Sequence, residues 1–325
     1  MTLYLNNLAS HLIDNLPTLS RGISRTPVIA RALEKAIYRN HAKDIAEQNL
    51  NSSQFAYRDG GNCTHALLAI QHTVYNYLDQ PNCKAVRLFT MDLSKAFDSA
   101  KHPLLSGKLK KRPLNTYVIN LYLDFLKHRL QRVVHNTLSG QWKEVNQGTT
   151  QGSVSGPYLF NIFLNDVEIK NGSTTCLHKD GDDSTIIGPM WRDTDCSNEL
   201  VMQFLKWSNN NSMTCNPSKC KELALMKKGN AQIFDRIAGI PKVNDLVLLG
   251  VTFQSDNRFN IHVKNKPLTK ENKSLQILRT LRREGYNQKE INYLFNSIVL
   301  PKISYGLAVY RAAEAELTMI QRFFG

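Results

Sequence analysis

Lys179-Asp180-Gly181-Asp182-Asp183-Ser184 sets two adjacent aspartates between two short β-prone runs, Thr174-Thr175-Cys176-Leu177 and Ser184-Thr185-Ile186-Ile187. A Gly-containing turn between such runs reads as a hairpin with a pair of carboxylates at its tip. Adjacent like charges cost free energy unless a cation neutralises them, so the pair invites a divalent metal. The alternative is an exposed acidic turn, since Asp and Gly favour turns on their own account.

Working outward, a second carboxylate site lies upstream. Ala85-Val86-Arg87-Leu88-Phe89-Thr90-Met91-Asp92 is a β-prone run ending in an aspartate, followed by Leu93-Ser94-Lys95-Ala96-Phe97-Asp98. A strand delivering Asp92 beside a hairpin delivering Asp182 and Asp183 gathers three carboxylates around one spot. Oxygen-only ligands suit Mg²⁺ or Mn²⁺, which bind through a few carboxylates plus substrate phosphates. Two such ions about 3.5–4 Å apart activate an attacking hydroxyl and stabilise the leaving oxygen of a phosphoryl transfer. Taken alone, Asp92 reads as a strand-end aspartate capping the next turn.

The composition agrees with a nucleic-acid partner. Against 27 Asp and Glu stand 41 Lys and Arg, a formal net charge of +14 over 325 residues, 42% of them hydrophobic. That charge suits a polyanion, with an anionic membrane surface as the alternative. The length suffices for two or three domain-like units. Apolar runs such as Leu246-Val247-Leu248-Leu249 fall far short of the ~20 residues a spanning helix needs, so no membrane association is expected. The first residues lack the basic and apolar regions of a signal peptide, and an intracellular location is expected. Six scattered cysteines fit reduced thiols better than a disulfide framework. A zinc site from Cys215, Cys220 and His178 has unconvincing spacing.

Periodicity predicts helices over 27–49, starting at Pro27, and over 64–79, capped by Thr64. Further helices are expected over 102–109, 115–130, 158–165 and 197–209. Strands are expected at 132–134 paired with 142–145, at 222–225 and at 246–251. From about 268 the chain is helix-prone and basic, with Lys270, Lys273, Arg279, Arg282 and Arg283. The pattern is α+β: a palm-like core followed by a helical appendage.

Several motifs stand in order along this frame. Met91-Asp92-Leu93-Ser94-Lys95-Ala96-Phe97-Asp98 resembles D-x-S-K-A-F-D. Gln151-Gly152-Ser153-Val154-Ser155-Gly156-Pro157-Tyr158-Leu159-Phe160-Asn161 resembles Q-G-S-x-x-G-P-x-L-F-N, and Asp180-Gly181-Asp182-Asp183 occupies the place of Y/F-A-D-D. Asn216-Pro217-Ser218-Lys219-Cys220-Lys221 resembles N-P-x-K-T-K, and Leu249-Gly250-Val251 resembles L-G-V. Arg21-Gly22-Ile23-Ser24 and Gln54-Phe55-Ala56-Tyr57-Arg58 resemble R-P-I-S and Q-F-G-F-R. Together they make residues 15–312 similar to the reverse transcriptase domain of a non-LTR (LINE-type) retrotransposon.

That resemblance implies a right-hand polymerase with fingers, a palm holding a small antiparallel sheet, and a helical thumb. The expected boundaries are 1–85 for partial fingers, 86–253 for the palm with finger insertions, and 254–325 for a thumb that is expected to be incomplete. It implies an RNA-directed DNA polymerase that uses an RNA template, a DNA primer and dNTPs, with two Mg²⁺ or Mn²⁺ ions. Asp92, Asp182 and Asp183 take the metal-binding and catalytic places, Asp183 the less direct ligand, and Lys219 or Lys221 that of a proton donor to pyrophosphate. Phe97 takes the place of the ring that crowds the sugar 2′ position. Gln151 and Gly152 approach the nascent pair, Arg21 and Arg58 grip phosphates, and Leu249 and Gly250 form the primer grip.

Departures from the pattern are as informative. Asp180 replaces the usual aromatic and adds a charge expected to impair the metal site. Gly181, Gly22 and Cys220 replace alanine, proline and threonine. Only about 20 residues precede the first motif and no Cys/His knuckle follows, so a piece or decayed copy of a longer element is expected. Two other readings stay open: a catalytically decayed nucleic-acid-binding protein, and an RNA-dependent RNA polymerase suggested by Gly181-Asp182-Asp183. Phe97 argues against the latter, because such enzymes place a polar residue there.

Overall fold

A five-stranded sheet positions the acidic residues. In the computed structural model, which describes residues 26–135, 138–227, 235–237, 239–265, 269–310 and 318, the sheet strands are β1 (Cys83–Met91), β2 (Leu177–Asp180), β3 (Asp183–Trp191), β4 (Lys221–Met226) and β5 (Lys242–Val243). Their spatial order is β5-β4-β1-β3-β2, antiparallel throughout except for the β4–β5 pair. β1 lies in the middle and is buried along most of its length, and most of its residues are apolar, with Arg87 as a buried exception.

The chain divides into two compact units, each assembled from separate segments. One comprises residues 60–92, 169–203 and 216–325 and holds the sheet; the other comprises 1–59, 93–168 and 204–215. The chain crosses between them at Asp92–Leu93, immediately after β1.

In the sheet unit, side chains alternate between two faces. Val86 and Leu88 of β1, Ile187 of β3, and Leu223 and Leu225 of β4 pack against the Cys63–Leu78 helix through Leu67, Ile70 and Val74. The same core takes in a two-stranded hairpin, β6 (Asp245–Leu248) and β7 (Val251–Gln254), and Ile291, Val299 and Ile303 of the C-terminal helices. Beyond residue 254 every regular element among the described residues is helical, as expected: Asn260–Val263, Thr269–Arg283, Gln288–Leu294, a π turn at Phe295–Val299, and Leu300–Ser304.

In the other unit the Ser155–Leu164 helix is the centre, with Leu159, Phe160 and Phe163 fully buried. Three tyrosines, Tyr38, Tyr122 and Tyr158, pack ring against ring beside it. The N-terminal helical stretch runs as Val28–Ile37, a π turn at Tyr38–Ala42, and Lys43–Asn49, with Pro27 in the entry position.

Several local expectations need correction. The Cys63–Leu78 helix is capped by Asn62, whose side chain accepts the His65 N–H, so Thr64 lies inside it. The helix at Thr116–Leu126 ends four residues early, just before His128 takes a positive φ of 48°. Lys143–Val145 pairs with Arg129–Gln131, three residues upstream of the expected partner. Thr174–Thr175 pairs with Lys170–Asn171 and leaves β2 to begin at Leu177. The expected strand over 246–251 breaks into the β6–β7 hairpin, because Leu249 and Gly250 both adopt positive φ.

Candidate active site

The register of the sheet brings acidic residues together. Asp180, last in β2, pairs directly with Asp183, first in β3. On the other side of β3, Thr90 pairs with Thr185 and Met91 with Ser184, so the next residue of β1, Asp92, comes opposite Asp183. Asp92, Asp183 and Asp180 thus form a cross-strand row on one face, where directly opposed residues have Cβ atoms about 4.5–5.5 Å apart. Gly181 and Asp182 make the two-residue turn, with Gly181 at φ +70°. The hairpin with carboxylates at its tip is the arrangement expected from the turn chemistry.

A cavity of about 220 Å³ opens on this face. Its polar lining includes Asp92, Asp180, Asp183, His178, Lys219 and Lys221, and Leu246–Leu249 of the β6–β7 hairpin form an apolar wall. Asp182 is half-buried in the turn and is not among the lining residues. Among the described residues, no three His, Cys, Asp or Glu side chains are gathered as a metal site, which also leaves the zinc reading of Cys215, Cys220 and His178 without support. All six cysteines are free thiols.

Asp92 is fixed through its backbone. Its carbonyl accepts the Asn216 N–H at 3.2 Å, and its own N–H points to the Cys220 sulfur at 3.4 Å. The Asn216–Lys221 segment is thereby bound to the end of β1. Asn216 also organises its own turn, accepting the Ser218 hydroxyl at 2.7 Å, and Lys219 stays exposed at the cavity edge.

His178 is a half-buried titratable group lining the cavity. Burial pushes its imidazole down to about 4, so it is neutral at pH 7. Below pH ~6.5 the unfolded chain binds a proton that the folded chain resists. Stability is therefore full above ~6.5 and falls as the pH drops toward 4, by up to about 3 kcal/mol. A His178→Gln variant is expected to flatten that part of the profile, read by urea unfolding at pH 7.0, 6.0 and 5.0.

The remaining expected site residues lie in the other unit, close to one another. Phe97 is half-buried, stacked on Phe160 with centroids 4.0 Å apart, and meets the edge of Tyr57 at 6.2 Å. Its carbonyl accepts the Thr149 N–H at 2.7 Å, which brings the Gln151–Gly152 turn alongside. Gly152 is exposed at φ +105°, a conformation that side chains other than glycine rarely adopt. Arg58 donates to the Gln54 carbonyl at 3.1 Å, so this guanidinium is partly committed within its own motif. Asn161 completes the group by donating to the Ala56 carbonyl at 3.0 Å. Arg21 lies outside the described residues.

The family profile of reverse transcriptase (RNA-dependent DNA polymerase) matches residues 14–294, most of the chain. The chain belongs to the reverse transcriptase family. Similar proteins include the RNA-directed DNA polymerase from mobile element jockey of Drosophila melanogaster, 25% identical over 321 residues. The probable RNA-directed DNA polymerase from transposon X-element of the same organism is 22% identical over 320 residues. These matches cover 93% and 94% of this chain but 34% of each relative, so the chain spans about a third of their length. The Pol polyprotein from type-1 retrotransposable element R2 of Popillia japonica is 23% identical over 74% of this chain and 41% of its own. Among solved structures, telomerase from Candida tropicalis in complex with the TWJ fragment of telomeric RNA covers 91% of this chain and 45% of its own, at 13% identity and a TM-score of 0.47.

One cavity residue goes beyond the sequence candidates: Asp180, which by sequence alone is only a disturbance, pairs with Asp183 and lines the cavity. A charge standing in for an aromatic at a strand end is a signal that asks for a compensating polar neighbour.

Proposed function

We propose that this chain is an RNA-directed DNA polymerase of the non-LTR type, adding dNTPs to the 3′-hydroxyl of a DNA primer on an RNA template. The observation that carries the reading is the juxtaposition of Asp92 and Asp183 on adjacent strands of a chain that matches the reverse transcriptase family. Directly opposed like charges are unfavourable unless a cation shares them, which is a reason for their placement.

Their oxygens are hard donors, and with Asp182 at the neighbouring turn they are suited to hold Mg²⁺ or Mn²⁺. Bound there, such ions supply an activated primer hydroxyl and charge neutralisation at the phosphate and the leaving pyrophosphate. The protein's own groups do the rest. Lys219 lines the cavity in the place of a proton donor to the leaving pyrophosphate. Leu249 and Gly250 offer main-chain atoms to the primer end. In the other unit, Phe97 and Gly152 hold the places that the family gives to the ring crowding the sugar 2′ position and to the glycine that leaves room for the nascent pair. Arg58 faces phosphate oxygens with its remaining donors. The basic C-terminal helices neutralise backbone phosphates without reading sequence. In this reading residues 1–85 act as fingers, 86–253 as palm and 254–325 as thumb.

The test is primer extension by purified protein on an RNA template with a DNA primer, Mg²⁺ or Mn²⁺, and either dNTPs or NTPs. Extension with dNTPs alone supports the proposal; binding of RNA–DNA hybrids without extension supports a decayed, binding-only protein. That second reading is favoured by one observation, that the carboxylates are not gathered into a three-ligand group.

Phe97 makes a sharper prediction. The ring is wedged between Phe160 and Tyr57, so it cannot swing away from an added hydroxyl. A Phe97→Val variant is expected to use NTPs at least about tenfold more efficiently relative to dNTPs, measured as the ratio of kcat/KM values.

A further inference from the structure

Tyr305 stands far from every motif, yet it holds the turn that carries the primer-grip residues. Its hydroxyl donates to the Leu249 carbonyl at 2.5 Å. Its ring lies against Gly250, where a Cβ would come within 3.2 Å of the tyrosine Cε1. The turn needs holding: Leu249 sits at φ +43°, a left-handed conformation unfavourable for a leucine, and Gly250 sits at φ +87°. Next along the chain, Gly306 at φ +78° lies so close to Val251 that a Cβ there would sit 2.8 Å from Val251 Cγ2. The Tyr305–Gly306 pair is therefore seated on Leu249, Gly250 and Val251 together.

The Cys63 thiol feels both the Asp180 carboxylate and the Tyr305 hydroxyl. Burial first, and then Asp180, push that thiol up to about 11, so it stays protonated at neutral pH. Burial and the neighbouring Cys63 push the Tyr305 hydroxyl up to about 12.

We propose that Tyr305 is a positioning residue for polymerisation: it clamps the Leu249–Gly250 turn in its left-handed conformation and so sets where the primer end rests relative to Asp92 and Asp183. The inference rests on the polymerase reading for the role of the turn, but the clamp itself is independent of it.

The test uses Tyr305→Phe, which keeps the ring on Gly250 and removes only the hydroxyl. Amide hydrogen exchange of peptides covering 246–252 is expected to accelerate several-fold, with little change elsewhere and an unchanged melting temperature. On an RNA template, KM for the DNA primer end is expected to rise about three- to tenfold, the worth of one hydrogen bond, with kcat within about twofold. A purely structural residue would instead lower the melting temperature and leave KM alone. Unchanged exchange over 246–252 overturns the clamp, even in a protein that extends no primer. Faster exchange with an unchanged KM in an active protein overturns the positioning role. If wild type itself fails to extend, the polymerase reading fails separately, and the exchange result still decides the clamp.

Discussion

An Asp92→Asn variant is expected to lose primer extension by about 10³-fold or more while melting at or slightly above the wild-type temperature. The two effects have opposite signs for one reason. Asp92 stands opposite Asp183 across the β1–β3 pair, and Asp180 continues the row. Removing one of these like charges relieves repulsion in the folded protein, so stability does not fall. In the proposed reaction the same removal deletes a hard anionic oxygen from the place where charge would develop on the phosphate, and several kcal/mol of barrier lowering would go with it. Asparagine keeps the shape, and the backbone bonds of Asp92 to Asn216 and Cys220 do not involve the carboxylate, so the hairpin and strand stay in register. Extension rates and a thermal melt on the same sample read both halves.

The largest expected loss of stability lies on the opposite face of the sheet. Arg87 is 1% exposed in the middle of β1. Its guanidinium binds Glu222 of β4 through Nε at 3.0 Å and Nη2 at 2.9 Å, and reaches Asp195 through Nη1 at 2.7 Å. Glu222 is itself 2% exposed, so without its partner it leaves a buried carboxylate with nothing opposite. Arg87→Met is expected to cost about 3–5 kcal/mol in urea unfolding. Arg87→Met combined with Glu222→Met is expected to recover most of it, because an apolar pair needs no compensating charge. Recovery in the double variant separates a stranded charge from simple loss of packing.

How much of this was legible beforehand depends on the range of the cause. The turn at Asp182–Asp183, the strand leading into Asp92 and the helical run beyond 254 follow from local turn chemistry and periodicity, although the first hairpin strand begins only at Leu177. Boundaries set by a competing local bond were misplaced: Asn62 outcompetes Thr64 as a cap because its side chain reaches the His65 N–H. The break at Leu249–Gly250 was hidden because a leucine at positive φ has no signature in sequence; only its partner Tyr305, 56 residues on, accounts for it. Arg87 shows the same limit. In an apolar run its charge marks a buried partner, but that partner is 135 residues away and nothing local names it. The acidic row was foreseen as a convergence of Asp92, Asp182 and Asp183; strand register instead puts Asp92, Asp183 and Asp180 in line, with Asp182 at the turn.

The account turns on whether Asp92 and the Asp182–Asp183 turn share a divalent cation. Affinity cleavage with Fe²⁺, ascorbate and peroxide in place of Mg²⁺ reads this directly, because radicals formed at the bound ion cut the nearby backbone. Cuts are expected at both 91–93 and 181–184, suppressed by excess Mg²⁺ and lost together in Asp92→Asn. Cleavage at one of these segments without the other, or cuts unaffected by Asp92→Asn, would contradict a shared site.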